Sequence, residues 1–225
     1  MEVAISWKWQ YHLSKLQNRK MEKITIGIEK RISLGVLEMA LRAVLDENAT
    51  SEYFLELAHT ECTGATRAKK TVAVINRMTI KNKLMFYIAE HKDDVLNLLR
   101  SKPDRQLLFV AMMCSAYTLF YDTMAQMGKY FHVQDDITRE YLLKKLSEKY
   151  GSNRMLDVAF DCVMPMLIEA GFIVRTKPGV YQMVKQDKFS DIALMAYRKS
   201  FLLNNPNFSD IDYIDGNSYF EFLKQ

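Results

Sequence analysis

Residues 137–184 constrain the fold of this chain more than any other stretch of its sequence. Residues 136–138 open a first helix, residues 150–153 form a polar turn, and a second helix is predicted over residues 154–170. Gly171 then stands where the end of a helix favours a residue with positive φ, and two β-type runs follow around a Pro-Gly turn. Helix, turn, helix and hairpin in this order predict a winged helix-turn-helix, a module used mostly on nucleic acid.

The remainder of the sequence predicts a mainly α-helical protein in four parts. Within residues 1–23, Trp7, Trp9, Tyr11 and Leu13 alternate with polar residues, which indicates a short strand or a docking arm more than a helix. Residues 24–136 repeat apolar residues at three- and four-residue steps and predict a multi-helix domain. The winged-helix-like module is predicted to occupy residues 137–186. Residues 187–225 are predicted to form a C-terminal helical extension.

The length and composition of the chain limit the classes of protein to which it can belong. With 225 residues, of which 49% are hydrophobic and 26% charged, the chain can bury a core in one large domain or two small ones. The longest apolar stretch, residues 107–120, is shorter than the roughly 20 residues that a membrane span requires, so it predicts a buried helix. The first ten residues lack the apolar core of a signal peptide, and we therefore expect a cytoplasmic protein without a membrane partner.

The three cysteines, Cys62, Cys114 and Cys162, are widely spaced and do not form a pair with zinc-site spacing. We expect buried free thiols in a reducing compartment and no metal. The sequence also lacks a phosphate-binding Gly-rich loop and the common hydrolase motifs. His59 and Cys62 lie one helical turn apart, but no third partner accompanies them. The sequence therefore predicts a non-enzymatic protein without a cofactor.

The distribution of charge is more informative than the net charge of +4. Residues 62–89 contain no acidic residue, and they hold a first basic set made of Arg67, Lys69, Lys70, Arg77, Lys81 and Lys83. Helical spacing places Arg67, Lys70, Arg77 and Lys81 close to one face. An unopposed basic face suits phosphate binding, because each neutralised phosphate releases a condensed counterion. The alternative is a solvated helix face whose counter-charges come from another segment.

The predicted winged module carries a second basic set, namely Arg139, Lys144, Lys145, Lys149, Arg154, Arg175 and Lys177. Arg175 and Lys177 belong to the hairpin, where a wing would touch the DNA backbone or the minor groove. The second helix of the module is apolar and acidic, and its Asp157 and Asp161 would repel phosphates. Two interpretations remain open: bases are read by the N-terminal end of this helix, or the winged fold serves a protein contact.

Three stretches carry a resemblance to a known family. They are the basic helix at residues 63–78, the Leu-rich helix at residues 105–122, and residues 166–173, where a helix ends in Glu-Ala-Gly before a hairpin. In this layout the chain resembles BrxA, the small accessory protein of bacterial BREX phage-exclusion loci, over roughly residues 34–183. The chain departs from that family in its aromatic arm and in its short turn at residues 151–153.

The resemblance implies a helical domain similar to the RNA-binding antitermination factor NusB, followed by a winged-helix-like part. It also implies binding of double-stranded DNA, with the basic helix that carries Arg67, Lys70 and Arg77 as the best candidate contact surface. Taken with the charge pattern, it predicts a non-enzymatic DNA-binding accessory protein of a BREX-type antiviral defence system that contacts mainly backbone phosphates. The candidate contacts are the whole first basic set and every residue of the second except Arg139.

Two alternatives belong to other functional classes. The chain could be a protein-interaction adaptor of a multi-subunit defence complex, with Trp7 and Trp9 of the arm anchoring it in a larger subunit. It could also be an RNA-binding regulator, which only the analogy with NusB suggests.

Overall fold

The computed structural model describes residues 26–152, 154–186, 188–208 and 216–224. The described part is mainly helical, with a small three-stranded antiparallel sheet. The mainly α-helical class predicted from the sequence is therefore confirmed. The predicted arm, with Trp7 and Trp9, lies outside the described residues.

The helices and strands follow one another with short connections. The α-helices are α1 Leu34–Leu45, α2 Ser51–Glu61, α3 Ala65–Met78, α4 Met85–Glu90, α5 Lys92–Leu98, α6 Lys102–Ala116, α7 Thr118–Phe131, α8 Arg139–Tyr150, α9 Arg154–Glu169 and α10 Asp191–Asn204. A 3-10 helix, Ser218–Leu223, follows α10. The strands are β1 Asp136–Thr138, β2 Ile173–Lys177 and β3 Val180–Met183, and the sheet has the order β1-β3-β2.

Residues 136–138 form strand β1, so the prediction that they open a helix is wrong. Ile137 is fully buried and pairs with Tyr181 of β3, while both of its strand neighbours are exposed. Thr138 remains extended and its hydroxyl accepts a hydrogen bond from the backbone N–H of Tyr141 at 3.2 Å. Because a helix N-cap has β-type dihedrals, one residue can both end β1 and cap α8.

The end of α9 follows the sequence prediction closely. Gly171 has a φ of +74°. Its N–H binds the carbonyl of Ile168 at 2.9 Å, and the N–H of Phe172 binds the carbonyl of Leu167 at 3.2 Å. These two bonds are those of a Schellman motif, which satisfies the last carbonyls of a helix. The chain then turns directly into β2, and the predicted hairpin around Pro178-Gly179 is confirmed.

The core is one continuous cluster of buried side chains that extends from Ile28 to Phe222. Residues 107–114 of α6 are all buried, as the sequence predicted. Helix α7 packs against the 3-10 helix so closely that a Cβ on Gly128 would overlap the carbonyl oxygen of Ser218. Tyr219, with no exposed surface, fills the core from this last segment. The C-terminal segment is therefore part of the core.

No single helix of the described residues is long and apolar enough to cross a membrane. Helices α6 and α7 reach that length and composition only together, and they are bent by 119° relative to each other.

Candidate nucleic-acid interface

The N-terminal half of α3 exposes three residues of the first basic set, Arg67, Lys69 and Lys70. Ala68, Thr71 and Ile75 lie on the buried side of this helix, so that Arg67 and Lys69 point outward. The N-cap is Gly64, which has no side chain to cap the first N–H groups, and the first turn holds no acidic residue. Cations near a helix N-terminus oppose the macrodipole, which favours anions there. Arg67 and Lys69 therefore place positive charge at a helix end where positive charge does not stabilise the helix.

Only part of this charge is balanced by a neighbouring acid. Lys70 forms an ion pair with Glu29, and Lys70 lowers the pKa of that carboxyl by a hydrogen bond and by its charge. Among the described residues, neither Arg67 nor Lys69 takes part in an ion pair.

Arg77 has a different environment from the rest of the first basic set. Its Nε donates a hydrogen bond to the carbonyl oxygen of Ala116 at 3.0 Å, and its guanidinium lies 4.4 Å from the ring centre of Tyr117. It therefore satisfies one of the last carbonyls of α6 at the break between α6 and α7. Burial raises the pKa of Tyr117 to about 12. The structure gives Arg77 a role in joining α3 to this break.

Lys81 does not share a helical face with Arg67, because α3 ends at Met78. That part of the prediction is wrong. Lys81 and Lys83 are exposed in the following turn, which the buried side chain of Asn82 organises. Its amide donates to the carbonyls of Met78 and Met112, both at 2.9 Å, and its carbonyl accepts from the N–H of Leu84 at 3.0 Å. Sequence reasoning missed Asn82, since a single Asn between two lysines carries no signal of burial.

The second basic set is divided between ion pairs and an open groove. Lys145 pairs with Glu148 at 2.8 Å, and Lys149 with Asp122 of α7 at 2.7 Å. Lys144 and Arg154 line a shallow groove of about 570 Å³ between α8 and α9, together with Leu143, Ser147, Ser152, Leu156 and Asp157. The groove thus combines two cations with two hydroxyl groups and one carboxylate, near the turn between the helices.

The outward face of α9 is acidic. Leu156, Phe160 and Val163 are buried, whereas Asp157 and Asp161 are exposed. Nη2 of Arg139, at the start of α8, lies 3.5 Å from Oδ1 of Asp157 and 3.0 Å from Oδ1 of Asp161. Partial burial opposes the charge of Arg139, but the hydrogen bond to Asp161 and the two negative charges raise its pKa. Arg139 therefore neutralises this face in part, and the face does not attract phosphate.

The hairpin places the last two basic residues on an exposed strand. From Val174 to Lys177 every residue of β2 is exposed, and β2 is an edge strand. A bulge lies between Arg175 and Lys177. The hairpin turn is held in place by the N–H of Arg139, which donates to the carbonyl of Gly179 at 2.8 Å. Arg175 and Lys177 are thus presented to solvent on an anchored hairpin.

The thiols and histidines do not form a metal centre in the described part of the chain. No group of three or more His, Cys, Asp or Glu side chains there could hold a metal ion. Cys62 contacts the carbonyl of Ala58 and the hydroxyl of Thr71, and all three cysteines are free. Burial raises the pKa of Cys114 to about 12. Cys114 and Cys162 are buried as predicted, while Cys62 is only partly buried.

Comparisons with known proteins add no relative: no protein-family model matches the chain, and searches of curated proteins and of solved structures find no significant match. The resemblance to BrxA, drawn from the sequence, thus stays a prediction.

Proposed function

We propose that the protein is a non-enzymatic accessory factor that binds duplex DNA mainly through backbone phosphates. The observation that carries this proposal is the start of α3, where Arg67 and Lys69 stand exposed beside an N-terminus without an acidic residue. This charge weakens the isolated helix, and an anionic partner would reverse that effect. The assignment of the protein to a BREX-type phage-defence system rests on the family resemblance alone.

The order of elements supports a winged helix-turn-helix over residues 137–186. Strand β1 precedes α8 and α9, β2 and β3 follow, and β3 lies between the other two strands. The exposed hairpin with Arg175 and Lys177 would be the wing, and the groove with Lys144 and Arg154 would receive phosphate at the turn between the helices. The multi-helix part before it would correspond to the NusB-like domain.

The proposed contact is with the backbone, because α9 is poorly suited to read bases. If α9 lay deep in the major groove, Asp157 and Asp161 would approach phosphates on both sides. Phosphate contacts position a protein but carry little sequence information. We therefore expect weak discrimination among duplex sequences and a steep dependence of affinity on salt.

The test is fluorescence anisotropy with a labelled duplex of arbitrary sequence across a salt series. The logarithm of the affinity should fall linearly with the logarithm of salt concentration, with a slope of about −0.9 for each phosphate contacted. Arg67→Glu with Lys69→Glu should flatten the slope by about two. Binding that does not change with salt would contradict the phosphate-contact proposal.

A matched control changes the same amount of charge elsewhere. Lys92 lies 3.4 Å from Asp46, which follows the C-terminal end of α1, and Arg100 follows α5. Lys92→Glu with Arg100→Glu should leave duplex affinity within about twofold at moderate salt, because screening limits charges beyond roughly 8–10 Å. An equal loss in this control would show that net charge, and not α3, determines binding.

A second candidate function is that of a protein-interaction adaptor. Helix α9 exposes the acidic Asp157 and Asp161 and, near its start, Met155, which is 43% exposed, and such a mixed surface suits a protein partner better than DNA. Removing residues 1–20, which carry Trp7 and Trp9, would separate the two functions. Loss of complex assembly with unchanged duplex affinity would support the adaptor, and preferential competition by structured RNA would favour an RNA-binding regulator.

A further inference from the structure

The segment formed by residues 26–33, here called the bridging segment, runs along the surface without regular secondary structure. Ile28 and Ile32 have no exposed surface and hold it against the core. Glu29 and Arg31 are exposed, and Lys30 is partly buried. The burial pattern therefore turns charged side chains of the bridging segment toward solvent.

One side of the bridging segment adjoins α3. Glu29 is the ion-pair partner of Lys70. Gly27 lies so close to Arg77 that a Cβ at residue 27 would be 2.9 Å from Nη1 of that side chain. The bridging segment therefore runs along the helix that carries most of the first basic set.

The other side adjoins α9. Burial raises the pKa of Cys162, and the charges of Lys30 and Arg31, with a hydrogen bond from the backbone of Arg31, act in the opposite direction. Leu34, directly after the bridging segment, donates its N–H to Oε1 of Glu169 at 2.8 Å. The Cα atoms of residues 29 and 31 are at most about 7 Å apart. Both α3 and α9 therefore border the same short stretch of chain.

The acids along this path already have partners. Glu29 is paired with Lys70, and Asp161 with Arg139. Glu61 and Glu169 form no ion pair among the described residues, but they accept hydrogen bonds from the N–H groups of Ser33 and Leu34 at the positive end of α1. Within the described ranges, no acidic side chain forms an ion pair with Lys30 or Arg31. Lys30 and Arg31 are thus two cations of this path that no described acid neutralises, and their charge can serve an anionic partner.

We propose that Lys30 and Arg31 join the two basic sets into one phosphate-binding strip, so that a single duplex contacts α3 and the winged-helix-like module together. This inference rests on the proposed function and adds where and how one duplex engages the protein. One turn of B-DNA is roughly 34 Å long and carries about one charge per 1.7 Å of axis. A strip formed by two helices that border the same short segment can therefore meet several phosphates of the same turn.

The first experiment measures duplex binding by Lys30→Glu with Arg31→Glu against Lys92→Glu with Arg100→Glu. Both double variants change the net charge equally. Lys92 lies near the far end of α1, about 18 Å from its N-terminus, and Arg100 is exposed after α5. We expect the bridging variant to lose at least about tenfold in affinity at low salt and to flatten the salt slope by about two. Circular dichroism and thermal unfolding verify that both variants fold.

The outcomes separate this inference from the proposed function. If the wild-type protein binds with a steep salt dependence and the bridging variant behaves like the control, the strip is wrong and the proposed function stands. If the wild-type protein binds no duplex at low salt, both are wrong.

The second experiment measures stoichiometry with a duplex of about 20 base pairs, roughly two turns. One strip predicts one duplex per chain, and it predicts that Arg67→Glu with Lys69→Glu and Lys144→Glu with Arg154→Glu each flatten the slope for that same duplex. Two duplexes per chain, or a module variant that leaves the slope unchanged, would contradict the strip.

Discussion

Glu169, the last residue of α9, accepts a hydrogen bond from the backbone N–H of Leu34, the first residue of α1, at 2.8 Å. The first turn of α1 has no acidic residue of its own, so a carboxylate from a helix 135 positions away in sequence supplies negative charge at the positive end of α1. This bond fixes the end of the bridging segment against α9. It therefore joins the helical part to the proposed winged module.

Glu169→Ala should lower the free energy of unfolding by about 1 kcal/mol, because the N–H of Leu34 loses both its acceptor and a favourable charge. Glu169→Gln keeps an acceptor and should lose less than half of that amount. Urea unfolding of the two variants measures the difference. Equal stability of Glu169→Ala and wild type would mean that water replaces this bond at no cost.

Gly128→Ala should destabilise the protein by about 1–3 kcal/mol, because the new methyl group would overlap the carbonyl oxygen of Ser218 and displace the 3-10 helix. Gly35→Ala in α1 is the matched control, since the nearest atom is the Ser33 hydroxyl at 3.9 Å. That change should be neutral or stabilise by up to about 1 kcal/mol through helix propensity. Thermal unfolding compares the two; a Gly128→Ala variant as stable as wild type would contradict the close packing of the C-terminal segment.

Asn82→Ala should cost about 2–3 kcal/mol, because it leaves the buried N–H of Leu84 without its acceptor and the carbonyls of Met78 and Met112 without a donor. The turn that carries Lys81 and Lys83 should then exchange its amide hydrogens faster. Asn97→Ala, at an exposed position of α5, should change stability by less than about 0.5 kcal/mol. Urea unfolding and hydrogen exchange measure both effects, and a stable Asn82→Ala variant would show that the turn does not depend on this side chain.

Acid should weaken the attachment of the 3-10 helix to α7. Partial burial favours the neutral form of Glu221, but hydrogen bonds and charges from Lys224 and His132 outweigh it and lower the pKa. A carboxyl whose pKa is lower in the folded state stabilises the protein above the unfolded pKa and loses this contribution as the pH falls through the folded pKa.

The measurement is the stability of wild type relative to Glu221→Gln at about pH 7 and about pH 3. We expect wild type to be the more stable at the higher pH and the difference to shrink at the lower pH. A difference that stays constant over this range would exclude a pH-dependent contribution of Glu221.

Local sequence signals predicted much of the secondary structure. Gly171 ended α9, and Pro178-Gly179 placed the hairpin turn. Each of these depends on residues next to one another in the chain. The boundaries predicted from them therefore agree with the structure to within one or two residues.

Features that depend on distant residues were not predictable from such signals. Strand β1 exists because Ile137 pairs with Tyr181, which is 44 positions later, and a three-residue strand has no pattern of its own. The sequence did not identify Lys30 and Arg31 as site residues, because they come close to α9 only in the folded chain. For the same reason the sequence did not reveal which lysines of the second basic set are paired with acids.

The sequence and the structure assign different roles to Arg77. The sequence predicts a phosphate contact, whereas in the structure Arg77 donates a hydrogen bond to the carbonyl of Ala116 and packs on the ring of Tyr117. Arg77→Gln should lower the free energy of unfolding by about 1–3 kcal/mol, through the lost hydrogen bond and the lost cation–π contact. Under conditions where the variant is folded, its duplex affinity should stay within about twofold of wild type, whereas Arg67→Glu should reduce affinity without reducing stability. Anisotropy and urea unfolding on the same samples separate the two effects. Unchanged stability with reduced affinity in Arg77→Gln would restore Arg77 as a direct phosphate contact.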